Sequence, residues 1–326
     1  AAANSVNRTF RTVISCALVL IILFITLAVL VPLVILPATT SSSVESSVEQ
    51  IVPFEIPTFI APATPTEVSF AALDLVIGQE GVGPGQFTDL RHVAVDSQGR
   101  IYAGEYTGGR IQVFDQDGNF TTQWLVDDEL PVVSMTANRA VTLYIVMGGE
   151  IYIHDGPSGD YQGAWNYEDQ FDDVFSTIDG GLLSAHGGTD DNILRFDAGQ
   201  NLELEIPSAI SGQTGDSELK MTVAEDGVGK IYALGAFNDA VFIFDSQGKF
   251  LNRIGSAGDE PGQFRAVSDI VVDGQGRIYV SDVDGVQVFS PDGRFLGLIE
   301  MDNVPFGLAI DDQYHLYVAA RTQLYR

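Results

Sequence analysis

Cysteine is almost missing: Cys16 is the only one in 326 residues, so no intramolecular disulfide can form and strand pairing and packing must hold the fold. Lysine is scarce too, with only Lys220, Lys230 and Lys249 in a chain whose formal net charge is −28. So acidic a surface repels phosphate backbones, which excludes nucleic acid as a partner. It also opposes docking on anionic lipid, and the commoner reason for such acidity is solubility. There is no HExxH pair, no G-x-S-x-G nucleophile elbow and no phosphate-binding glycine loop, so no cofactor is expected. The four histidines (His92, His154, His186 and His315) stand far apart in the chain. What is plentiful is glycine, at 34 residues, with 10% aromatics. That mix suits many short strands joined by tight turns better than a helical bundle.

The N-terminal third opens with one long apolar run. No charged residue lies between Arg11 and Glu45, and Val13 to Leu36 is almost wholly aliphatic, with Val13, Leu20, Phe24, Leu30 and Leu36 spread along it. At about 1.5 Å per residue the run reaches about 36 Å, enough for a hydrocarbon core of about 30 Å and too long for a signal-peptide core. The sequence therefore predicts a short cytoplasmic segment over 1–11, a transmembrane helix over 12–36 and a lipid-bilayer contact through that helix. Arg8 and Arg11 precede the run and no basic residue follows until Arg91, which puts the N-terminus in the cytoplasm and the remainder on the extracytoplasmic side of the cell membrane. Cys16 sits before the apolar stretch rather than after it, unlike a lipobox, and reads as a small residue of the helix.

Residues 37–69 carry five prolines and a Ser/Thr-rich patch, the composition of an extended stalk. Within it Phe54, Ile56, Phe59 and Ile60 make an apolar string that needs a contact surface, either the protein's own following domain or another subunit.

From residue 72 onward the chain repeats. Val93-Ala94-Val95-Asp96-Ser97-Gln98-Gly99-Arg100-Ile101-Tyr102 returns as Ile270-Val271-Val272-Asp273-Gly274-Gln275-Gly276-Arg277-Ile278-Tyr279. Closing aspartates follow at 115, 155, 197 and 245, with Ser290 in the equivalent place, a spacing of 40 to 48 residues. Each copy reads as strand, polar glycine turn, strand, loop, strand, Asp-Gly turn, strand. The last copy ends at Arg326 without an outer strand. Ala72 to Gly78, followed by Gly83-Pro84-Gly85-Gln86-Phe87, reads as that missing strand, by analogy with Leu251 to Gly255 and Glu260 to Phe264.

This pattern resembles the NHL repeat, whose signature is a hydrophobic residue, Asp, two residues, then Gly-Arg-Ile-Tyr-Val. The resemblance covers Ala72 to Arg326 and implies an all-β fold, a six-bladed β-propeller over 70–326, preceded by the helix and the Pro/Ser-rich stalk. It is strong in the first, fourth and fifth copies and weak in the second and third. Peptide-amidating lyases of this repeat type place metal-binding histidines just before the innermost strands. The matching positions here are Arg91, Ser268 and Phe306, with His92 alone one place on, and one histidine does not make a zinc site. His154 occupies a slot that is Phe114, Phe196, Phe244 and Phe289 in the other copies, so it reads as a packing residue. Asp115-Gln116-Asp117-Gly118-Asn119 resembles the start of a calcium loop but has Val126 where the bidentate acid belongs, and reads as a strand-joining turn. Asp127-Asp128-Glu129, Glu168-Asp169 and Asp172-Asp173 read as solvated acidic loops.

No catalytic, cofactor or metal residue is therefore assigned. The expectation is a non-enzymatic extracytoplasmic scaffold, an accessory subunit of a larger membrane complex that meets its partners through the helix, the stalk or the propeller loops. A calcium-dependent lactonase- or lyase-like propeller enzyme is the alternative, and a ligand-binding sensor the second alternative.

Overall fold

A computed structural model describes residues 71–165, 167 and 170–326. The expected transmembrane helix with Val13, Leu20, Phe24, Leu30 and Leu36, and the stalk string Phe54, Ile56, Phe59 and Ile60, lie outside the described residues. Among the described residues no helix is long and apolar enough to cross a membrane. One helical turn, Ser211–Thr214, interrupts an otherwise all-β domain in which no helix was expected.

The chain starts with a two-residue strand, β1 (Val76–Ile77), and then builds four-stranded antiparallel blades in sequence order. The first is β2 (Leu90–Val95), β3 (Ile101–Glu105), β4 (Arg110–Phe114) and β5 (Phe120–Leu125). The second is β6 (Val132–Ala137), β7 (Thr142–Met147), β8 (Glu150–Asp155) and β9 (Tyr161–Ala164). The third is β10 (Asp173–Ser176), β11 (Leu182–His186), β12 (Asn192–Phe196) and β13 (Leu202–Pro207). The fourth is β14 (Met221–Glu225), β15 (Ile231–Gly235), β16 (Ala240–Phe244) and β17 (Phe250–Ile254). The fifth is β18 (Ile270–Val272), β19 (Ile278–Asp282), β20 (Gly285–Phe289) and β21 (Phe295–Glu300). In the sixth, β22 (Leu308–Ile310), β23 (Leu316–Ala320) and β24 (Gln323–Tyr325) take β1 as their outer strand, with Val76 opposite Tyr325 and Ile77 opposite Leu324. The innermost strands β2, β6, β10, β14, β18 and β22 each touch the next, and β22 returns to β2. A closed ring of six blades results.

The repeated residues have identifiable work in this ring. In the turn after the innermost strand of four blades, one aspartate takes two backbone N–H groups and the hydroxyl of the tyrosine on the next strand. Asp96 accepts from Gln98 N (2.8 Å), Arg100 N (3.1 Å) and Tyr102 Oη (2.7 Å). Asp226, Asp273 and Asp311 do the same with Tyr232, Tyr279 and Tyr317, each at 3.1 Å. The buried phenol needs an acceptor and the buried carboxylate needs donors, so each satisfies the other. Burial, reinforced by the aspartate charge, pushes the phenols of Tyr279 and Tyr317 up to about 12.

The outer hairpins share a second device. Where the outermost strand joins, the register slips by one residue at Phe114, His154, Phe196, Phe244 and Phe289. This bulge turns the ring of that residue inward between blades, and the four phenylalanines are at most 1% exposed. His154 is buried in the same slot, stacked on Trp124 at 5.3 Å with Nδ1 3.0 Å from the Gly159 carbonyl. The Gly-Gln-Phe loops are explained as well. Gln86 and Gln263 turn their side chains back on their own loops, while Gln112 and Gln287 donate to the carbonyls of Gln86 (2.8 Å) and Gln263 (2.6 Å).

Candidate functional site

Each innermost strand presents the residues just before and at its start to one mouth of the central channel. Because the strands come from six blades, residues far apart in sequence meet there. A cavity of about 300 Å³ at this mouth is lined by Arg91 and His92 from the first blade, Ser134 from the second, Asp172 and Asp173 from the third, Lys220 and Thr222 from the fourth, Ser268 and Asp269 from the fifth, and Phe306 from the sixth. A narrower cavity of about 150 Å³ continues down the channel from Asp173 and Asp269 between Val93, Met135, Val223 and Leu308.

Two carboxyls dominate the floor. Asp173 is buried and accepts from Ser134 Oγ (2.5 Å) and Val223 N (2.7 Å). Asp269, partly buried, accepts from its neighbour Ile270 N (2.8 Å) and from Leu308 N (2.7 Å). These bonds reach into adjacent blades, so each carboxyl sits in a fixed orientation. Burial raises both above the ordinary carboxylate range, and Asp269 is raised further by the charge of Asp173. Their donors and Lys220 pull the other way and do not win. Because the charge of Asp173 raises Asp269, the two carboxyls disfavour being ionised together.

The walls differ in character. Lys220 is exposed, and its charge acts on Asp173, Asp269 and His92. Arg91 pairs with Asp89 at 3.0 Å, and its guanidinium lies 4.2 Å from the Tyr106 ring centre and 5.1 Å from that of Phe306. Asp172 accepts from Gly187 N at 2.6 Å, 3.9 Å from His186 Nδ1. His92 is held far down, to about 4, by burial and then by Lys220, so its ring is neutral at pH 7.

The three positions matched to the lyase histidines, Arg91, Ser268 and Phe306, do come together at this mouth. The reading of Asp172-Asp173 as a solvated loop is corrected for Asp173, which is 6% exposed because it opens β10 on the channel wall. Glu168 and Asp169 lie outside the described residues. Asp115 spends its carboxylate on Asp117 N and Asn119 N, and Asp127 on Glu129 N, which are turn bonds. Calcium takes six to eight oxygens. Here both oxygens of Asp173 and of Asp269 already accept hydrogen bonds, and no three His, Cys, Asp or Glu among the described residues group as metal ligands. The site does not fit the calcium of the lactonase- or lyase-like alternative.

Comparison with known proteins places the fold. Residues 213–324 match a family described as a 6-bladed beta-propeller. A 49-residue stretch, 15% of this chain, is 37% identical to Protein lin-41 of Caenorhabditis elegans, of which it spans only 4%. Among solved structures, a gluconolactonase from Xanthomonas campestris superposes with a TM-score of 0.56 at 13% identity, over 78% of this chain and 98% of that one. A luciferin-regenerating enzyme superposes with a TM-score of 0.58 at 14% identity, over 77% and 94%. The expectation of a non-enzymatic scaffold subunit is corrected by these findings. Two solved propellers of this fold are named as enzymes, and the sequence reading took Asp172-Asp173 for a solvated loop and gave Asp269 no role.

Proposed function

We propose that the propeller is a hydrolase of the lactonase kind, opening a small cyclic ester at the channel mouth by acid-base chemistry on Asp173 and Asp269. The observation that carries this reading is the pair of carboxyls held by donors from neighbouring blades, and raised by burial, in the lining of one open cavity with Lys220. The gluconolactonase and luciferin-regenerating structures support it through the shared ring. In the reaction, the ionised carboxylate takes a proton from water as that oxygen bonds to the ester carbonyl carbon. The protonated carboxyl gives its proton to the ring oxygen as the acyl carbon–oxygen bond breaks. The product is the open hydroxy acid, and the pair again holds one proton. Lys220, which lines the same cavity, supplies positive charge to the developing oxyanion. Incubation of the purified chain with γ- and δ-lactones in a pH-stat tests this. Steady proton release that falls at least a hundredfold in Asp269→Asn is expected, and equal rates in the two proteins would overturn it.

For placement, we propose that the repeat is of the NHL type, that residues 12–36 span the membrane and that 37–69 tether the propeller on the extracytoplasmic side. The uncharged run after Arg8 and Arg11 supports this. Protease digestion of intact cells should remove the propeller, and protection until lysis would refute it.

A further inference from the structure

The guanidinium of Arg91 is only half used. Such a group has two edges that can each grip a carboxylate: the side edge of Nε with one Nη, and the terminal edge of both Nη atoms. Asp89 takes the side edge, with Oδ1 3.0 Å from Nε and Oδ2 3.0 Å from Nη2. Nη1, on the terminal edge, has no partner among the described residues, and the side chain, 33% exposed, lines the cavity. Tyr106 and Phe306 line it too, and their ring centres lie 4.2 and 5.1 Å from the guanidinium carbon, so the fork is braced before any ligand arrives. Charge favours an anion here. Asp89 also lies 4.0 Å from Arg321, so two arginines share one carboxylate and leave an excess positive charge in a chain of net −28. Lys220, the other cation in the cavity lining, acts on Asp173 and Asp269. Arg91 is left for an oxyanion other than the reacting one.

We infer that the terminal edge of Arg91 is a carboxylate-binding site, so that the cavity selects cyclic esters carrying a carboxylate outside the ring over their uncharged counterparts. The inference rests on the hydrolase reading for the ester and on the half-used guanidinium for the carboxylate. A planar fork matches both oxygens of a carboxylate in one orientation, whereas a lysine offers only a point charge.

The test uses the full chain, γ-carboxy-γ-butyrolactone and its uncharged carboxamide. The carboxylate is expected to show a kcat/KM about thirtyfold higher, mostly through a lower KM. Arg91→Lys keeps a charge beside Asp89 but loses the fork, and Arg91→Gln loses the charge as well. Each should bring the ratio down about tenfold or more, with circular dichroism confirming the fold. A ratio near one in the unmodified protein, or one that survives in both variants, overturns the inference. Calorimetric binding of the corresponding lactams, pyroglutamate and pyroglutamide, separates recognition from turnover. A preference for pyroglutamate that the variants lose, without hydrolysis of either lactone, would fell the hydrolase reading and keep the carboxylate site. Equal or absent lactam binding would fell the site whatever the turnover shows.

Discussion

Replacing Asp269 by asparagine sets two effects of opposite sign against each other, and pH decides which wins. Asp269 accepts from Ile270 N through one oxygen and from Leu308 N through the other. Asparagine has one oxygen and one N–H₂ group, so one of these donors faces another donor, at a cost of about 1–3 kcal/mol. The carboxylate itself is penalised when ionised, because burial and then Asp173 raise it from 3.8 in the unfolded chain to about 8. Between those values the folded state holds more protons than the unfolded state, so stability falls as pH rises through the window and levels off above about 8. From pH 5 to pH 9 the raised group removes up to about 4 kcal/mol, and screening at the open mouth reduces this to about 2–3 kcal/mol. Asp269→Asn escapes that penalty. Urea denaturation should therefore find the variant less stable than the parent by about 1–3 kcal/mol at pH 5 and equal or more stable at pH 9. A difference in stability that does not change with pH would show that Asp269 is ionised throughout, and the proposed acid-base pair would go with it.

Lys220→Met removes the cation facing both carboxyls, so lactone turnover should drop about a hundredfold and the acid limb of its pH profile should move to higher pH, read by pH-stat. Ser134→Ala takes a donor from Asp173, raises that carboxyl further and should shift the same limb upward with a smaller loss of rate. Tyr102→Phe leaves Asp96 without its phenol donor and should cost about 1.5 kcal/mol in urea, with no effect on turnover because the pair lies at the turn between β2 and β3, at the other end of β2 from the site. Gly255 has φ +84° and lies against the Phe264 ring, so Gly255→Ala should destabilise by about 2–4 kcal/mol, measured as a fall in the unfolding midpoint.

The six blades were legible because their signature is a local device. An aspartate, a glycine turn and a tyrosine six residues on form one hydrogen-bonded unit within a single hairpin, and such units print themselves on the sequence. The copies that read weakly are those where the unit is altered. Asn138 replaces the aspartate opposite Tyr144 in the second blade, and Thr177 bonds Asp179 in the third. The Phe slot was legible for the same reason, since a bulge places it identically in each outer hairpin. The site left no such print. Asp173, Lys220 and Asp269 are supplied by three blades and have no mutual spacing, and two of the groups that orient the carboxyls are backbone N–H groups of Val223 and Leu308, which no side-chain motif records. Asp172-Asp173 looked like a solvated acidic loop because composition cannot tell which carboxylate opens an innermost strand. The one signal for the site is the alignment of the innermost-strand starts, which sets Ser268-Asp269 in register with Arg91-His92 and Phe306-Gly307.

Asp173 and Asp269 also tie blades together, and this structural role bears on the chemical one. Asp173 links the third blade to Ser134 of the second and Val223 of the fourth, while Asp269 links the fifth to Leu308 of the sixth. Ties of this kind are strongest when the acceptor is ionised, because a charged acceptor about doubles the strength of a hydrogen bond to N–H. The surroundings do the reverse and favour the proton, through burial and through the placement of one carboxyl within reach of the other's charge. A serine or asparagine acceptor would join the blades without a buried charge. The arrangement thus gives up tying strength and gains raised carboxyls at a mouth of the ring that opens to a cavity of about 300 Å³. Held by backbone donors from neighbouring blades, the two carboxyls keep their orientation whichever of them carries the proton, and a repeated acid-base cycle requires that of its pair.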